Sequence, residues 1–253
     1  MSDMLFLANM NAKGRLESCQ NIQQPRVYLA GPDVFYPDAV QRGFEKKRML
    51  AEFGFTGVYP LDQEIPNFQP DEITAMQIAR TNEEFMDSCA IMLANMREWH
   101  GPSMDAGTAF EMGYMSAKAK YAAENILIVG YVDAEHDDLR NFKERVVDLH
   151  YDGRAMEQDG SVIGDDGMAL ENFGLRDNLM LMQAIKKTGG EFFYSFSDAV
   201  SNLPRLLACK NRMTDVVAPT KAPAKTLAES IEPSPGDMLE MHYAGCRTFS
   251  SLI

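Results

Sequence analysis

Two carboxylates, Asp105 and Glu111, are the side chains of this sequence whose placement could do chemistry. They fall in a segment that passes from a Gly/Pro loop into a predicted helix, Gly101–Tyr114. Asp105 is a favourable N-cap residue, because its carboxylate can accept hydrogen bonds from the free N–H groups of the first turn. Glu111 would lie about two turns further on, so the two acids converge only if Asp105 leans over the helix end. The segment is therefore either an ordinary capped helix or a pair of acids that share a site.

Further carboxylates follow the predicted strands, at Asp33, Asp38 and Asp62. Clustered acids suit glycosidic chemistry, in which one carboxylate attacks or shields the anomeric carbon and a second group gives a proton to the leaving group. They would also suit a divalent metal, but for magnesium we expect an adjacent acidic pair or a phosphate partner at a strand end, and the sequence has neither.

Several familiar signatures do not occur. The first predicted strand is not followed by Gly-x-Gly-x-x-Gly, and the sequence has neither a Walker lysine nor a nucleophile elbow. Dinucleotide binding, nucleoside triphosphate binding and serine hydrolysis are therefore not indicated. We expect a protein that needs no cofactor and no metal.

The composition narrows the class of partner. The chain has 253 residues, of which 45% are hydrophobic, and this is enough for a large core. Its formal net charge of −13 argues against a nucleic-acid polymer as partner, because nucleic-acid binders usually carry a basic face. Small neutral or cationic ligands suit this charge better.

The cysteines indicate the compartment. Cys19, Cys89, Cys209 and Cys246 are widely scattered and form no Cys-x-x-Cys pair, so neither zinc nor disulfides are expected. No apolar run is long enough to cross a bilayer. We therefore expect a cytoplasmic protein that does not act at a membrane.

Strands alternate with helices along the chain. The predicted strands are Arg26–Ala30, Phe55–Tyr59, Ala90–Met96, Asn125–Tyr131 and Glu191–Phe196, and the predicted helices are Pro37–Phe53, Asp71–Ser88, Asp105 to about Lys120, Asp177–Lys186 and Ser197–Cys209. This alternation predicts an α/β fold, a three-layer sandwich with a five-stranded, mostly parallel sheet. Ligands of such sheets bind beyond the carboxyl ends of the strands, which is where the Asp105–Glu111 segment falls.

Composition also divides the chain. We expect residues 1–24 to be a polar N-terminal arm, 25–209 the main domain, and 210–253 a Pro/Ala-rich linker and C-terminal tail. Within the domain, 133–170 is an acidic insertion with Asp-Gly turns and one helix near Leu139–Leu149. A long insertion of this kind usually serves function or is disordered.

Blocks of sequence in a fixed order suggest a family. They are Tyr28–Asp38, Tyr59–Asp62, Ala94–Asn95, Gly101–Pro102, Asp105–Tyr114 and Glu171–Leu181. Together they resemble the nucleoside 2-deoxyribosyltransferase family over roughly residues 26–209. The resemblance implies a flavodoxin-like sandwich, a homo-oligomer with a shared active site, and a cofactor-free exchange of the base of 2′-deoxynucleosides in nucleotide salvage.

The resemblance also implies catalytic roles. Glu111 matches the nucleophile that attacks C1′ to give a 2-deoxyribosyl-enzyme, and Asp105 matches the acid that protonates the departing base. Tyr28, at the end of strand one, would orient Glu111 through its hydroxyl. We further expect the helix dipole to hold Glu111 in its charged form.

Binding roles carry over in the same way. Asn178 matches an asparagine that reaches a sugar hydroxyl from a neighbouring subunit, which makes assembly a condition of activity. Asp62 matches a position near the base pocket. Gly31 would let the sugar approach the backbone closely.

Three residues depart from the family pattern. Asn82 stands where some members carry an acid, so protonation of the base would rest more heavily on Asp105. Trp99 and His100 replace a frequent Phe-Arg pair; Trp99 would either stack on a base or cover the loop, while His100 is expected at the rim.

The first hypothesis is therefore a deoxyribosyltransferase that acts on free nucleosides and free bases. Binding of a phosphate-bearing substrate would be expected to use Arg or Ser beside the strand-one loop, and the segment Gly31–Phe35 contains neither. One alternative is hydrolysis of the N-glycosidic bond of a nucleoside or nucleotide, with water as acceptor. Another is a catalytically silent nucleoside-binding module. The preference between purines and pyrimidines stays open.

Overall fold

A five-stranded parallel sheet lies at the centre of the fold. The strands, in chain order, are β1 (Arg26–Ala30), β2 (Thr56–Val58), β3 (Ile91–Asn95), β4 (Leu127–Tyr131), β5 (Met156–Gln158), β6 (Ser161–Ile163), β7 (Ala169–Leu170) and β8 (Phe192–Phe193). The order of strands in the central sheet is β2-β1-β3-β4-β8. The helices are α1 (Ala39–Glu52), α2 (Glu72–Asp87), α3 (Ala106–Tyr121), α4 (Phe142–Tyr151), α5 (Leu179–Lys187) and α6 (Phe196–Val216). This computed structural model describes residues 24–66, 68–158 and 161–216. The N-terminal arm, apart from Gln24, and the tail beyond 216 lie outside the described residues.

The topology confirms the predicted α/β sandwich. All four strand pairs of the central sheet are parallel, and their order is the doubly wound, flavodoxin-like one. The strands β1, β3 and β4 are almost wholly buried, as expected for strands covered by helices on both faces. Among the described helices, none is long and apolar enough to cross a membrane.

Each face of the sheet has its own core. Successive side chains of β1 point to opposite faces of the sheet, so Tyr28 lies on one face and Val27 and Leu29 lie on the other. The Tyr28 face packs against α2, α3 and α5, and the opposite face packs against α1 and α6. Tyr28 therefore faces the same layer as α3, the helix that carries Glu111.

The region 133–170 holds more structure than expected. The predicted helix is present as α4, and it is followed by an antiparallel sheet, β5-β6-β7, that was not predicted. These strands have two or three residues, and β5 is fully exposed, so they leave no alternating apolar pattern in the sequence. The last helix, α6, also continues past residue 209, where the prediction ended, to Val216.

Candidate active site

Tyr28 and Glu111 form the centre of the candidate site. The Tyr28 hydroxyl donates a 2.6 Å hydrogen bond to Oε1 of Glu111. Tyr28 is fully buried and lies in the middle of β1, not at its end as expected. Burial and the nearby charge of Glu111 raise the pKa of Tyr28, so the phenol stays protonated and acts as the donor. The hydrogen bond fixes one carboxylate oxygen and leaves Oε2 for other partners.

The pKa of Glu111 moves opposite to the expected direction. Burial raises it to about 7, the hydrogen bond from Tyr28 opposes the rise, and the charge of Asp105 adds to it. Glu111 is the sixth residue of α3, beyond the first turn over which a helix dipole acts. The expectation that the dipole holds Glu111 charged is therefore wrong: desolvation dominates, and near neutral pH both protonation states are populated.

Asp105 is both a helix cap and a neighbour of Glu111. Its Oδ2 accepts hydrogen bonds from the Thr108 N–H at 2.8 Å and from the Thr108 hydroxyl at 3.0 Å. This confirms the predicted N-cap. Among the described residues, Oδ1 of Asp105 receives no hydrogen bond, so it is available to a ligand. The charge of Asp105 also adds to the rise in the pKa of Glu111, so the two carboxyl groups interact electrostatically.

Two neighbours of Asp105 were not assigned a role from the sequence. Thr108, which is 1% exposed, holds the carboxylate, and its spacing from the N-cap is the signal that could have shown this. Gly107 leaves room for the Asp105 carboxylate, because a Cβ at position 107 would lie 3.0 Å from Oδ2 of Asp105.

Trp99 belongs to an aromatic cluster at the rim. Its ring stacks on Phe35 with centroids 5.0 Å apart and an interplanar angle of 21°, and His100 meets its edge at 4.5 Å. One face of Trp99 is therefore covered, which favours the interpretation that it covers the loop. Phe35, 58% exposed, presents the more open aromatic surface. His100 is exposed, as expected at the rim.

Gly31 has a structural reason to be glycine. Its φ of 147° is a conformation that other residues rarely adopt, and a Cβ there would lie 2.6 Å from Cβ of Asn95. Asn95 in turn donates to Oδ2 of buried Asp33 at 2.9 Å, and the same oxygen pairs with Lys46 at 2.5 Å. The strand-one loop is therefore fixed against β3 and α1, independently of any approach by a sugar.

Asp62 and Asn82 fix the loop after β2. Asp62 accepts from the Tyr59 N–H at 3.0 Å and pairs with Lys47. Asn82, on α2, accepts from Gln63 at 3.1 Å. The structure joins neither residue to Glu111 by a hydrogen bond, so their roles in base binding stay predictions.

Cations do lie beside the strand-one loop, contrary to the expectation from the local sequence. The Arg42 guanidinium sits 4.0 Å from the centroid of the Tyr36 ring, and Arg97 donates to the Tyr36 hydroxyl. Both arginines are paired with acids: Arg42 with Asp38 at 2.8 Å and Arg97 with Asp137 at 3.1 Å. Asp38 therefore occupies the N-cap position of α1 without a side-chain cap, because its carboxylate binds Arg42.

Asn178 is bound within its own chain. It caps α5 by accepting from the Met180 N–H at 3.0 Å, and its amide donates to Glu171 at 2.7 Å. Its contact with a sugar in a neighbouring subunit stays a prediction. No group of three or more His, Cys, Asp or Glu within the described ranges could hold a metal ion.

Comparisons with known proteins bear on the family of this chain. The family described as nucleoside 2-deoxyribosyltransferase matches residues 27–180, a range that contains Tyr28, Asp105, Glu111 and Asn178. An uncharacterized protein of Schizosaccharomyces pombe is 31% identical over 199 residues, which cover 74% of this chain and 89% of that protein. The solved structure of 2-desoxiribosyltransferase from Leishmania mexicana aligns with 25% identity and a TM-score of 0.51, over 72% of this chain and 97% of the other.

Proposed function

This chain belongs to the nucleoside 2-deoxyribosyltransferase family, and on that premise we propose that it exchanges the base of 2′-deoxynucleosides by double displacement on Glu111. One observation carries the proposal: a half-buried carboxylate is held by the hydroxyl of Tyr28 at 2.6 Å, with Asp105 close enough to raise its pKa. Paired carboxylates with different surroundings are what glycosidic double displacement requires.

In the first step, Oε2 of ionised Glu111 attacks C1′ and forms an ester bond. The two carboxyl groups hold one proton between them, and the reactive state is the one in which Glu111 is ionised and the proton lies on Asp105. The C1′–N bond breaks, its electron pair stays on the base, and Asp105 gives this proton to the base nitrogen. Burial supports this step, because a carboxylate of raised pKa is more basic and the poorly solvated site strengthens its attraction for the developing positive charge at C1′.

In the second step, a nitrogen of the incoming base attacks C1′ and the ester bond breaks. The electron pair of that bond restores the Glu111 carboxylate, and the N–H proton of the incoming base passes to Asp105. The two inversions leave the configuration at C1′ unchanged. Electrons and protons balance between the two bases and the two carboxyl groups, so the cycle calls for no cofactor.

The pairing of the rim arginines supports free nucleosides as substrates. Asp38 and Asp137 already neutralise Arg42 and Arg97, and their negative charges would oppose a 5′-phosphate placed beside these arginines.

Exposed residues of α3 support a homo-oligomer. The exposed positions between Ala106 and Ala117 are Ala106, Gly107, Phe110, Gly113 and Ala117, all of them apolar or small. Phe110 is 62% exposed, whereas a helix that remains in solvent usually presents charged residues on its outer face. A shared active site completed by Asn178, a cytosolic location and a role in nucleotide salvage are parts of the same proposal.

Product analysis tests the proposal. The protein is incubated with a 2′-deoxynucleoside, with and without a second free base, and the products are separated by chromatography. We expect a new deoxynucleoside only when the second base is present. Free base and deoxyribose in both reactions would indicate hydrolysis instead, and no turnover across a panel of purine and pyrimidine deoxynucleosides would indicate a binding module.

A matched pair of variants assigns the activity to the site. Glu111→Gln should abolish exchange, whereas Glu83→Gln, which removes an exposed carboxylate of α2, should leave it unchanged. Exchange at a near-normal rate by Glu111→Gln would contradict the proposed nucleophile.

A further inference from the structure

Arg145, on α4, is the most deeply buried cation of the described residues. Its side chain is 0% exposed. A guanidinium carries five N–H donors and keeps its charge, so its burial is tolerated only when acceptors surround it. The residues that supply those acceptors show what Arg145 holds in place.

Three backbone carbonyls from three separate loops accept hydrogen bonds from Arg145. Nε donates to Pro102 at 2.8 Å, Nη1 to Arg140 at 2.6 Å and Nη2 to Arg176 at 2.8 Å. Pro102 precedes α3, Arg140 precedes α4 and Arg176 precedes α5. One side chain therefore joins the region 133–170 to the loop that leads to Asp105.

Two acids complete the surroundings of the guanidinium. Glu98 lies 3.1 Å from Nε, and Asp177, whose side chain is also 0% exposed, lies 3.5 Å from Nη2. Arg176 pairs with the same Glu98, so two cations and two anions balance in this cluster. A buried, charge-balanced cluster of this kind is held together, because the removal of any member leaves a buried charge without a partner.

The cluster extends to the residue that precedes Asp105. Asp177 accepts hydrogen bonds from the Ser103 hydroxyl at 2.7 Å and from the Met104 N–H at 3.1 Å. Across the same loop, the backbone N–H of Trp99 donates a hydrogen bond to the Ser103 carbonyl at 3.0 Å. Asp105 is therefore fixed on its N-terminal side by Asp177 and Arg145, and on its C-terminal side by Thr108.

We propose that Arg145 is a positioning residue for Asp105: from α4 it holds the 101–104 loop so that the Asp105 carboxyl reaches the departing base. The inference rests on the proposed function, in which Asp105 supplies that proton. It gives the 133–170 region a part in the reaction, through a residue that does not contact the substrate. A general acid acts only within hydrogen-bond reach, and a displacement of about 1 Å can cost about 100-fold in rate.

The test compares two substrates that differ in their need for a proton. An ordinary 2′-deoxynucleoside releases a base that must be protonated, whereas 7-methyl-2′-deoxyguanosine already carries a positive charge on its base and releases it neutral. Both kcat values are measured on the same preparation of each full-length protein. Their ratio does not depend on the folded fraction, so a loss of stability alone leaves it unchanged.

The variants are Arg145→Lys, Asp177→Asn and Ser103→Ala, with Asp105→Asn as the reference. In Arg145→Lys and Asp177→Asn we expect the ratio of kcat for the ordinary substrate to kcat for the methylated one to fall about 10- to 100-fold, in the direction of Asp105→Asn. Ser103→Ala removes a single hydroxyl and can still be measured if a variant of a buried charged residue does not fold. In Ser103→Ala the same ratio should fall by a smaller factor.

The control is Arg154→Lys, an arginine of the same region that is 65% exposed, for which the ratio should not change. Equal losses on both substrates in Arg145→Lys, Asp177→Asn and Ser103→Ala would overturn the inference and leave the proposed function intact. A wild-type protein that turns over neither substrate would overturn the proposed function and the inference with it.

Discussion

Tyr28 and Glu111, 83 positions apart in the sequence, are joined by a 2.6 Å hydrogen bond that connects the middle of β1 to α3. Because the phenol is buried and donates, it stabilises the ionised carboxylate against the desolvation that otherwise favours the acid form. The balance between these two effects sets the protonation of the proposed nucleophile near neutral pH.

The first prediction concerns the pH dependence of the wild-type reaction. The first step needs one carboxyl group ionised and the other protonated, so the pair must hold one proton between them. Burial and the charge of Asp105 raise the pKa of Glu111 to about 7, and above this value the pair loses that proton. We therefore expect kcat/KM to fall as pH rises above an apparent pKa of about 7. A rate profile at constant ionic strength checks this, and a rate that stays level or keeps rising well above this pKa would contradict it.

The second prediction concerns Tyr28→Phe. The hydrogen bond from Tyr28 lowers the pKa of Glu111, so its loss should move the falling limb of kcat/KM to higher pH by about one unit. Tyr114→Phe is the matched control on α3, because that hydroxyl binds Asp87 at the surface. An unshifted limb in Tyr28→Phe, or an equal shift in both variants, would contradict the role given to Tyr28.

The third prediction concerns stability. The folded protein holds a proton on Glu111 up to about pH 7, whereas the unfolded chain releases it near the ordinary glutamic acid pKa of 4.5. Ionised Glu111 therefore costs stability, and this cost appears as pH rises between those values. Glu111→Gln should raise the free energy of unfolding at pH 8 by about 1–3 kcal/mol and leave it unchanged at pH 4. Urea denaturation at both pH values measures this, and a less stable variant at pH 8 would contradict it.

The fourth prediction concerns Gly31. In Gly31→Ala the new Cβ would meet Cβ of Asn95 at 2.6 Å in a backbone conformation with φ of 147°. We expect a loss of at least about 2 kcal/mol in the free energy of unfolding. Gly54→Ala is the control, because Gly54 also has a positive φ but no atom within 4 Å of its Cβ position. Equal losses in the two variants would show that the contact with Asn95 is unimportant.

The order of strands and helices could be predicted because the buried parallel strands are short continuous apolar runs. The run 91–95, for example, is wholly buried and was predicted to within one residue at each end. The sheet β5-β6-β7 could not be predicted, because its strands are short and β5 is exposed.

The site was predicted in part. The capping of α3 by Asp105 could be predicted from residue type and position, whereas the meeting of Tyr28 and Glu111 was implied by the family resemblance. The direction of the Glu111 pKa could not be read from the sequence, since it depends on tertiary burial. The burial of Arg145 could not be predicted, because an arginine on a polar helix normally indicates a solvent-exposed position.

The most direct test of the central claim is detection of the covalent intermediate. The protein is mixed with a 2′-deoxynucleoside without acceptor base, quenched in acid and analysed by intact and peptide mass spectrometry. We expect a 2-deoxyribosyl ester on the peptide that contains Glu111, its loss on addition of a second base, and no adduct in Glu111→Gln. Base exchange that proceeds with the adduct on another residue, or undiminished in Glu111→Gln, would contradict the account.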